Sequence, residues 1–165
     1  MVEVWDLYND KKQLTYQHYQ RGGNNNIPKG MFHLVVEIWV IHNRKILITQ
    51  RHPEKCYGLK WECSGGSVLQ GEENIQGALR ELYEEIGIKA KMNELLYIGD
   101  TYHSNYIVDT YLYNQYIQIE DLVLQPHEVV DAKYISFAEM QDMYNKNELV
   151  QSVWERFCYF KDQLL

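Results

Sequence analysis

The feature that most constrains this chain is the stretch from Glu73 to Gly87, in which apolar residues recur at the spacing of a helix. The apolar positions are Ile75, Ala78, Leu79, Leu82 and Ile86. This i, i+3, i+4, i+7 pattern is typical of an amphipathic helix that buries one side. Gly87 is a common helix stop, because glycine adopts the left-handed conformation at little cost. The sequence therefore predicts a helix that begins near Glu73 and ends at Gly87.

The same stretch gathers carboxylates on one side. On a helix, Glu81, Glu84 and Glu85 fall within an arc of roughly 100°, away from the apolar side. Like charges four residues apart cost a helix about 0.2–0.5 kcal/mol, so helix stability alone does not favour this pattern. A bound divalent cation would reverse the sign, since Mg²⁺ prefers carboxylate, water and phosphate oxygens. A solvated acidic helix face is the alternative interpretation of the three glutamates taken alone.

A longer pattern surrounds these glutamates and spans residues 66–88. It reads G-x5-E-x7-R-E-U-x-E-E-x-G-U, where U is aliphatic. Its positions are occupied by Gly66, Glu72, Arg80, Glu81, Leu82, Glu84, Glu85, Gly87 and Ile88. Every position of the Nudix signature is met, so the chain resembles the Nudix hydrolase family.

The resemblance implies a fold of the α/β class, an α/β/α sandwich with a mixed β-sheet, formed as one domain over residues 1–165. The rest of the sequence fits this layout. β-rich runs at 31–41 and 45–50, separated by a turn at Asn43, predict a central hairpin. Further strands are predicted at 2–19, as one or two strands, and at 95–101, 106–117 and 128–135.

Loops and further helices are indicated by local signals. Residues 21–30 contain glycines, asparagines and a proline, which favour a surface loop. Ser136 and Glu139 fit a capping box, which predicts a short helix to about Asn145. From Glu148 onward, apolar residues share one helical side and predict a closing helix.

The resemblance also implies roles for residues of the signature. The implied ligands of Mg²⁺ or Mn²⁺ are Glu81, Glu84, Glu85 and the backbone carbonyl of Gly65 or Gly66. Arg80 and Glu72 would pair and orient the ligating carboxylates. The general base would be Glu128, in the loop before the last predicted strand, or else Glu81. An ordinary loop carboxylate is the alternative interpretation of Glu128.

The implied reaction is metal-dependent hydrolysis of a diphosphate linkage, in which water attacks phosphorus. The predicted substrate is a small molecule, a nucleoside diphosphate linked to another moiety. Four neighbouring side chains are candidates for binding it: Arg51, Lys60, Tyr57 and Trp39. The sequence does not identify which diphosphate is cleaved.

Two alternatives remain open. The surroundings of Phe32-His33-Leu34 and Lys60-Trp61 are also similar to isopentenyl-diphosphate isomerase, a relative with the Nudix fold. Where that enzyme places a catalytic Cys-Gly-His, however, this chain has Gly65-Gly66-Ser67, and Cys63 is two residues out of register. The second alternative is a Nudix domain that senses a ligand without catalysis, although such a module would have no chemical need for three glutamates.

Composition limits the remaining classes of function. The net charge of −7 argues against a nucleic-acid polymer as partner, because phosphate backbones attract clustered Lys and Arg. The three cysteines have no CxxC spacing, which favours reduced thiols. No apolar run approaches the ~20 residues that span a bilayer, and the first residues do not resemble a signal peptide. A cytoplasmic protein without a membrane partner is expected, and a homodimer is one option.

Overall fold

The computed structural model describes residues 2–23 and 26–165, so positions 24 and 25 of the predicted loop lie outside the described residues. The strands of the described residues are β1 (Val4–Tyr8), β2 (Leu14–Gln20), β3 (His33–His42), β4 (Lys45–Arg51), β5 (Trp61–Glu62), β6 (Ser64–Ser67), β7 (Leu95–Tyr102), β8 (Tyr106–Tyr113) and β9 (Val129–Ile135). The helices are α1 (Asn74–Ile86), α2 (Phe137–Asn145), α3 (Gln151–Tyr159) and α4 (Lys161–Leu164). None of these helices has the length and apolar character needed to cross a membrane.

The main sheet has seven strands and is mixed. Its path runs β5-β4-β3-β8-β7, while β6 pairs with β3 and β9 pairs with β4. β3 and β8 are parallel, and the other pairs are antiparallel. β3 changes partner along its length, since Val35–Ile38 pairs with β6 and Val40–His42 pairs with β4. The split leaves the first half of β3 to pair with β6, which in turn contacts α1.

Helices cover both faces of this sheet. Along β3 the side chains alternate, as in any strand, so Val36, Ile38 and Val40 meet α1, whereas Trp39 and Ile41 meet α2 and α3. α1 buries Ala78, Leu82 and Ile86, each 0 % exposed, in its half of the core. The expected α/β/α sandwich with a mixed sheet is confirmed.

α1 begins and ends where the sequence predicts. The backbone N–H of Glu73 donates to the side chain of Gln76 at 2.8 Å, which satisfies a donor at the helix start. Gly87 ends the helix with a φ of 77°. A Cβ atom there would also lie 2.9 Å from the Cβ of Val123, so glycine is required on both grounds.

β1 and β2 form a separate hairpin that packs against the loop before α1. The backbone N–H of Gln70 donates to the carbonyl of Val4 at 2.8 Å, and that of Gly71 donates to Asp6 Oδ2 at 2.8 Å. Lys12 of the hairpin turn forms ion pairs with Asp100 and with the buried Asp109 of the main sheet. The hairpin therefore adds a wall beside the start of α1.

Several boundaries differ from the prediction. β8 ends at Tyr113, whereas the sequence pattern continues to Ile117. The predicted closing helix is interrupted at Phe160, which separates α3 from α4. β5 and β6 carry no local β signal; β6 contains two glycines and is a strand because it pairs with β3. Tertiary contacts decide these three details.

Candidate active site

The glutamates of α1 form a series that runs from the core to solvent. Glu85 is 5 % exposed, while the side chain of Glu81 is 14 % exposed and that of Glu84 is 45 % exposed. The buried apolar side of α1 packs on the sheet, so these carboxylates emerge at the edge of that contact. They line a cleft of about 290 Å³ together with Gly65, Gly66 and Ser67 of β6.

Arg80 links the glutamates to the preceding loop. Its guanidinium donates from Nε to Glu72 Oε1 at 2.8 Å and from Nη2 to Glu72 Oε2 at 3.1 Å. Nη1 donates to Glu81 at 2.7 Å and to Glu84 at 3.0 Å. Nη2 also donates to the backbone carbonyl of Ser67 at 2.9 Å. One cation thus fixes three carboxylates and the end of β6, so the loop and the helix form one rigid unit.

The two glycines of β6 allow the carboxylates to lie against the backbone. The N–H of Gly65 donates to Glu85 Oε2 at 3.1 Å. A Cβ atom on Gly66 would lie 2.4 Å from the carboxyl carbon of Glu81, and one on Gly65 would lie 2.3 Å from the carbonyl oxygen of Val36. Glycine is therefore required at Gly66 for Glu81 to lie there, and at Gly65 for β6 to approach β3.

The site carries more negative charge than its cations balance. Burial, together with the charges of Glu62 and Glu81, raises the pKa of Glu85 to about 8, although Lys55 and the Gly65 N–H act in the opposite direction. Burial also raises the pKa of Glu81, although Arg80 opposes this shift. A divalent cation between these oxygens would supply the missing positive charge, so the donor set fits Mg²⁺ or Mn²⁺.

The opposite rim of the cleft is cationic and comes from the end of β4 and the loop before β9. Arg51 forms an ion pair with Glu62 and donates from Nε to the carbonyl of Cys56 at 2.7 Å. Lys55 forms an ion pair with Glu128, whose side chain is 41 % exposed. Arg51, Lys55 and Glu128 all line the cleft. The structure thus brings Arg51 and Glu128 to the glutamates of α1.

A third wall comes from the N-terminal hairpin, and sequence reasoning missed it. Trp5 lines the cleft and stacks on His33, with ring centroids 4.2 Å apart and an interplanar angle of 14°. Its Nε1 donates to Glu3 at 3.2 Å, and Arg21 Nη1 donates to the other oxygen of Glu3 at 2.9 Å. No motif marks these residues, and only the docking of the hairpin places them beside the signature.

Three predicted substrate-binding residues do not reach this cleft. Trp39 is 0 % exposed; its Nε1 donates to Glu37 at 2.7 Å and its ring packs on Phe157. The prediction that Trp39 binds substrate is wrong, because its position alternates onto the covered face of β3. Lys60 donates to Asn147 at 2.7 Å, and Tyr57 is 66 % exposed in a turn. Neither is among the residues that line the cleft.

Two residues that bear on isomerase chemistry are also away from the cleft. Cys63 is 5 % exposed, and burial raises the pKa of its thiol well above the ordinary value, with the Glu37 charge acting in the same direction. His33 lies under Trp5, and burial lowers its pKa to about 4. Neither side chain lines the cleft.

Comparison with known proteins agrees with this architecture. The family model described as NUDIX domain matches residues 31–154, which is 124 of the 165 residues. An uncharacterized Nudix hydrolase of Listeria monocytogenes is 30% identical over 153 residues, covering 90% of this chain and 89% of the relative. The isopentenyl-diphosphate Delta-isomerase of Pectobacterium atrosepticum is 30% identical over 120 residues, covering 68% of this chain and 66% of the relative.

Solved structures show the same fold at low sequence identity. The crystal structure of DR0079 from Deinococcus radiodurans has a TM-score of 0.73 at 16% identity and covers 90% of this chain and 92% of that chain. The NUDIX domain of Shewanella oneidensis NrtR, complexed with ADP ribose, has a TM-score of 0.65 at 17% identity and covers 81% and 89%. These solved structures share the fold of this chain.

Proposed function

We infer that this chain, which belongs to the Nudix family of pyrophosphohydrolases, is a metal-dependent hydrolase of a nucleoside diphosphate linked to another moiety. The observation that carries the proposal is the charge distribution of the cleft. On one wall, the negative charge of Glu81, Glu84 and Glu85 exceeds the positive charge of the cations that pair with them. On the other walls stand Arg51, Lys55 and Arg21. This arrangement suits a cation bound between carboxylates and an anionic diphosphate.

The proposed ligands of Mg²⁺ or Mn²⁺ are Glu81, Glu84, Glu85 and the carbonyl of Gly65. When bound, the ion supplies neutralisation of phosphoryl charge and a lowered pKa for water. The protein positions these donors beforehand. Arg80 holds Glu81 and Glu84, and Glu72 holds Arg80 through two hydrogen bonds. The Gly65 N–H holds Glu85, so little reorganisation is needed when the substrate enters.

The substrate phosphates would meet the cationic rim. A guanidinium has five N–H donors, and Arg51 commits only part of them to Glu62 and Cys56, which leaves donors for phosphate oxygens. Lys55 and Arg21 each pair with one carboxylate at the same cleft. A diphosphate between these walls could exchange those contacts for its own. ADP ribose in the NrtR domain shows that a related fold binds a ligand of this class.

The proposed general base is Glu128, with Glu81 as its competitor. Lys55 holds the Glu128 carboxylate at the rim, facing the cleft that Glu81 lines from the helix side. A base must reach the attacking water directly or through one more water, and both carboxylates line the cleft in which that water would lie. The pH dependence of kcat in Glu128→Gln distinguishes the two candidates. If the decrease of kcat at low pH disappears in this variant, the general base is Glu128.

Isomerisation of a prenyl diphosphate is not proposed, although one relative carries that name. The thiol of Cys63 is buried beside Glu37 and does not line the cleft, and Gly65 stands where the isomerase places its cysteine. A binding-only role is also less suited to this site. A ligand sensor gains nothing from carboxylates that are costly to bury without a cation.

The proposal is tested by incubating the purified protein with Mg²⁺ or Mn²⁺ and a panel of ADP ribose, nucleotide sugars, nucleoside triphosphates and isopentenyl diphosphate. We expect hydrolysis of a nucleoside diphosphate derivative to a nucleoside monophosphate and a phosphorylated second product. In H₂¹⁸O, the labelled product identifies the phosphorus that is attacked. Conversion of isopentenyl diphosphate to its isomer, or binding of ADP ribose without turnover of any substrate, would contradict the proposal.

A further inference from the structure

We propose that a second cation site, for a transition metal such as Zn²⁺, is formed beside the cleft by His52, Glu54 and His127. Each of the three side chains offers one ligand atom, and these atoms lie within 4.8 Å of one another. The site comes from two loops, one after β4 and one before β9. It is separate from the carboxylates of α1 and does not depend on the hydrolysis reaction.

The two loops are held together by the backbone. The N–H of His52 donates to the carbonyl of Glu128 at 2.9 Å, and the N–H of Lys55 donates to the carbonyl of His52 at 3.0 Å. His127 directly precedes Glu128, so its imidazole is fixed beside that of His52, with ring centroids 5.5 Å apart at an angle of 61°. The approach of the two histidines is therefore part of the fold, and a cation would not need to assemble it.

Glu54 completes the set from the same turn as His52. Its carboxylate Oε2 lies 3.9 Å from His52 Nδ1, and its backbone N–H donates to that nitrogen at 3.3 Å. Donors of a tetrahedral zinc site lie roughly 3.3 Å apart, given bonds of about 2.0–2.1 Å. A cation on Nδ1 of His52 would replace the hydrogen bond from the Glu54 N–H, whereas a cation on Nε2 would leave it in place. The side chain of Glu54 is 83 % exposed and is free to close this difference. The imidazole of His52, at 20 % exposure, is the fixed part of the site.

The donor chemistry separates this site from the one on α1. Two imidazole nitrogens and one carboxylate form a set that Zn²⁺, Co²⁺ and Ni²⁺ favour, whereas Mg²⁺ prefers oxygen alone. Lys55, the next residue in sequence, pairs with Glu128 and leaves the Glu54 carboxylate available. Three protein ligands also leave a fourth position open to water at the surface.

A cation at this site would affect the loops that line the cleft. Each of its three residues is adjacent in sequence to one that lines the cleft: His52 follows Arg51, Glu54 precedes Lys55 and His127 precedes Glu128. A cation held by His52 and His127 would clamp the loop of Glu128 to the end of β4. We therefore expect Zn²⁺ to raise the thermal stability of the protein even when Mg²⁺ already occupies the site on α1.

The experiment is a titration of the full chain, without a histidine tag, with Zn²⁺ in excess Mg²⁺, followed by calorimetry and by the visible spectrum of Co²⁺ in a parallel sample. We expect one equivalent bound, with at least about tenfold weaker binding in His52→Ala/His127→Ala and in the milder Glu54→Gln/His127→Gln. His103→Ala, which removes an imidazole elsewhere, is the matched control and should bind as the unchanged chain does.

Glu85→Gln distinguishes the two cation sites. If this variant still binds the equivalent of Zn²⁺, the ion is not held by α1, as the proposal requires. If Glu85→Gln abolishes binding while both histidine variants retain it, the proposal is overturned. Absence of Zn²⁺ binding in excess Mg²⁺ would overturn it as well, whether or not the protein hydrolyses a diphosphate.

Discussion

Two groups of charged side chains lie on opposite faces of β3, and they differ in charge balance. On the face covered by α3, Glu37 meets Arg156 at 2.6 Å and accepts from Trp39 Nε1 at 2.7 Å. One carboxylate there has one guanidinium. On the α1 face, Arg80 contacts Glu72, Glu81 and Glu84, and Glu85 has no guanidinium of its own among its described hydrogen bonds.

The difference separates a structural ion pair from a site that needs a ligand. Burial raises the pKa of Glu37, but Arg156 and Trp39 oppose the shift, and the pair closes on itself. The pKa of Glu85 is raised to about 8, first by burial and then by the charges of its acidic neighbours Glu62 and Glu81. A buried carboxylate paired with a guanidinium needs no further counter-charge, whereas a cluster with excess carboxylates is neutralised by a bound cation.

The largest effect is expected from breaking the balanced pair. Arg156→Met leaves Glu37 buried without its partner, which should reduce the free energy of unfolding by about 3–5 kcal/mol. Urea denaturation followed by fluorescence measures this loss. The control is Glu37→Gln/Arg156→Met, which should recover much of the stability. A loss below about 1 kcal/mol in Arg156→Met would show that the pair is not structural in this sense.

Glu85→Gln should remove activity and leave the fold intact. Its carboxylate is the most buried of the α1 series, so no other ligand can take its place. We expect kcat/KM to fall at least about 100-fold, at the upper end of effects seen when groups around a metal are changed. Steady-state hydrolysis at saturating Mg²⁺ measures the loss, and circular dichroism checks the fold. Activity equal to that of the unchanged chain would remove the metal role of α1.

The metal-free protein should lose stability as pH rises, and Glu85→Gln should weaken this trend. The pKa of Glu85 is raised from 4.5 to about 8 by folding, so the folded state holds the proton more tightly. Its contribution is therefore fully present below about pH 4.5 and is lost as pH rises through about 8.

The free energy of unfolding of the variant should consequently exceed that of the unchanged metal-free chain by roughly 1–3 kcal/mol near pH 9. Denaturation in a metal chelator across pH 5–9 compares the two proteins. This change in the free energy of unfolding is opposite in sign to the change expected for Arg156→Met. If Glu85→Gln is instead less stable than the unchanged chain at pH 9, the α1 cluster is not an unbalanced site.

The smallest effect is expected at the exposed end of the α1 series. Glu84 is 45 % exposed and shares Arg80 with Glu81, so water can substitute for its carboxylate. Glu84→Gln should lower kcat/KM by about tenfold and raise the Mg²⁺ concentration needed for half activity. A magnesium titration of activity measures both changes. An effect as large as that of Glu85→Gln would mean that the exposure of these carboxylates does not determine their contribution to kcat/KM.

The accuracy of the sequence prediction follows how local each signal is. The bounds of α1, the turn at Asn43 and the Ser136 cap depend on residues within one or two turns of each other, and the structure has all three. Trp39 was misplaced because an apolar strand buried on both faces does not indicate which face meets a ligand. The Trp5 and Arg21 wall was missed because hairpin docking depends on contacts far apart in sequence.

The sequence by itself determined the helix, its stops and the spacing of its glutamates, because these follow from backbone periodicity and short-range hydrogen bonds. Only the tertiary structure decided which charges face each other. Gly66 lies under Glu81 because β6 pairs with β3. His52 contacts His127 because β9 pairs with β4. Glu62, which is distant from Glu85 in sequence, raises the pKa of Glu85 in the folded chain. Electrostatic energy depends on distance and burial, and neither quantity exists until the chain has folded.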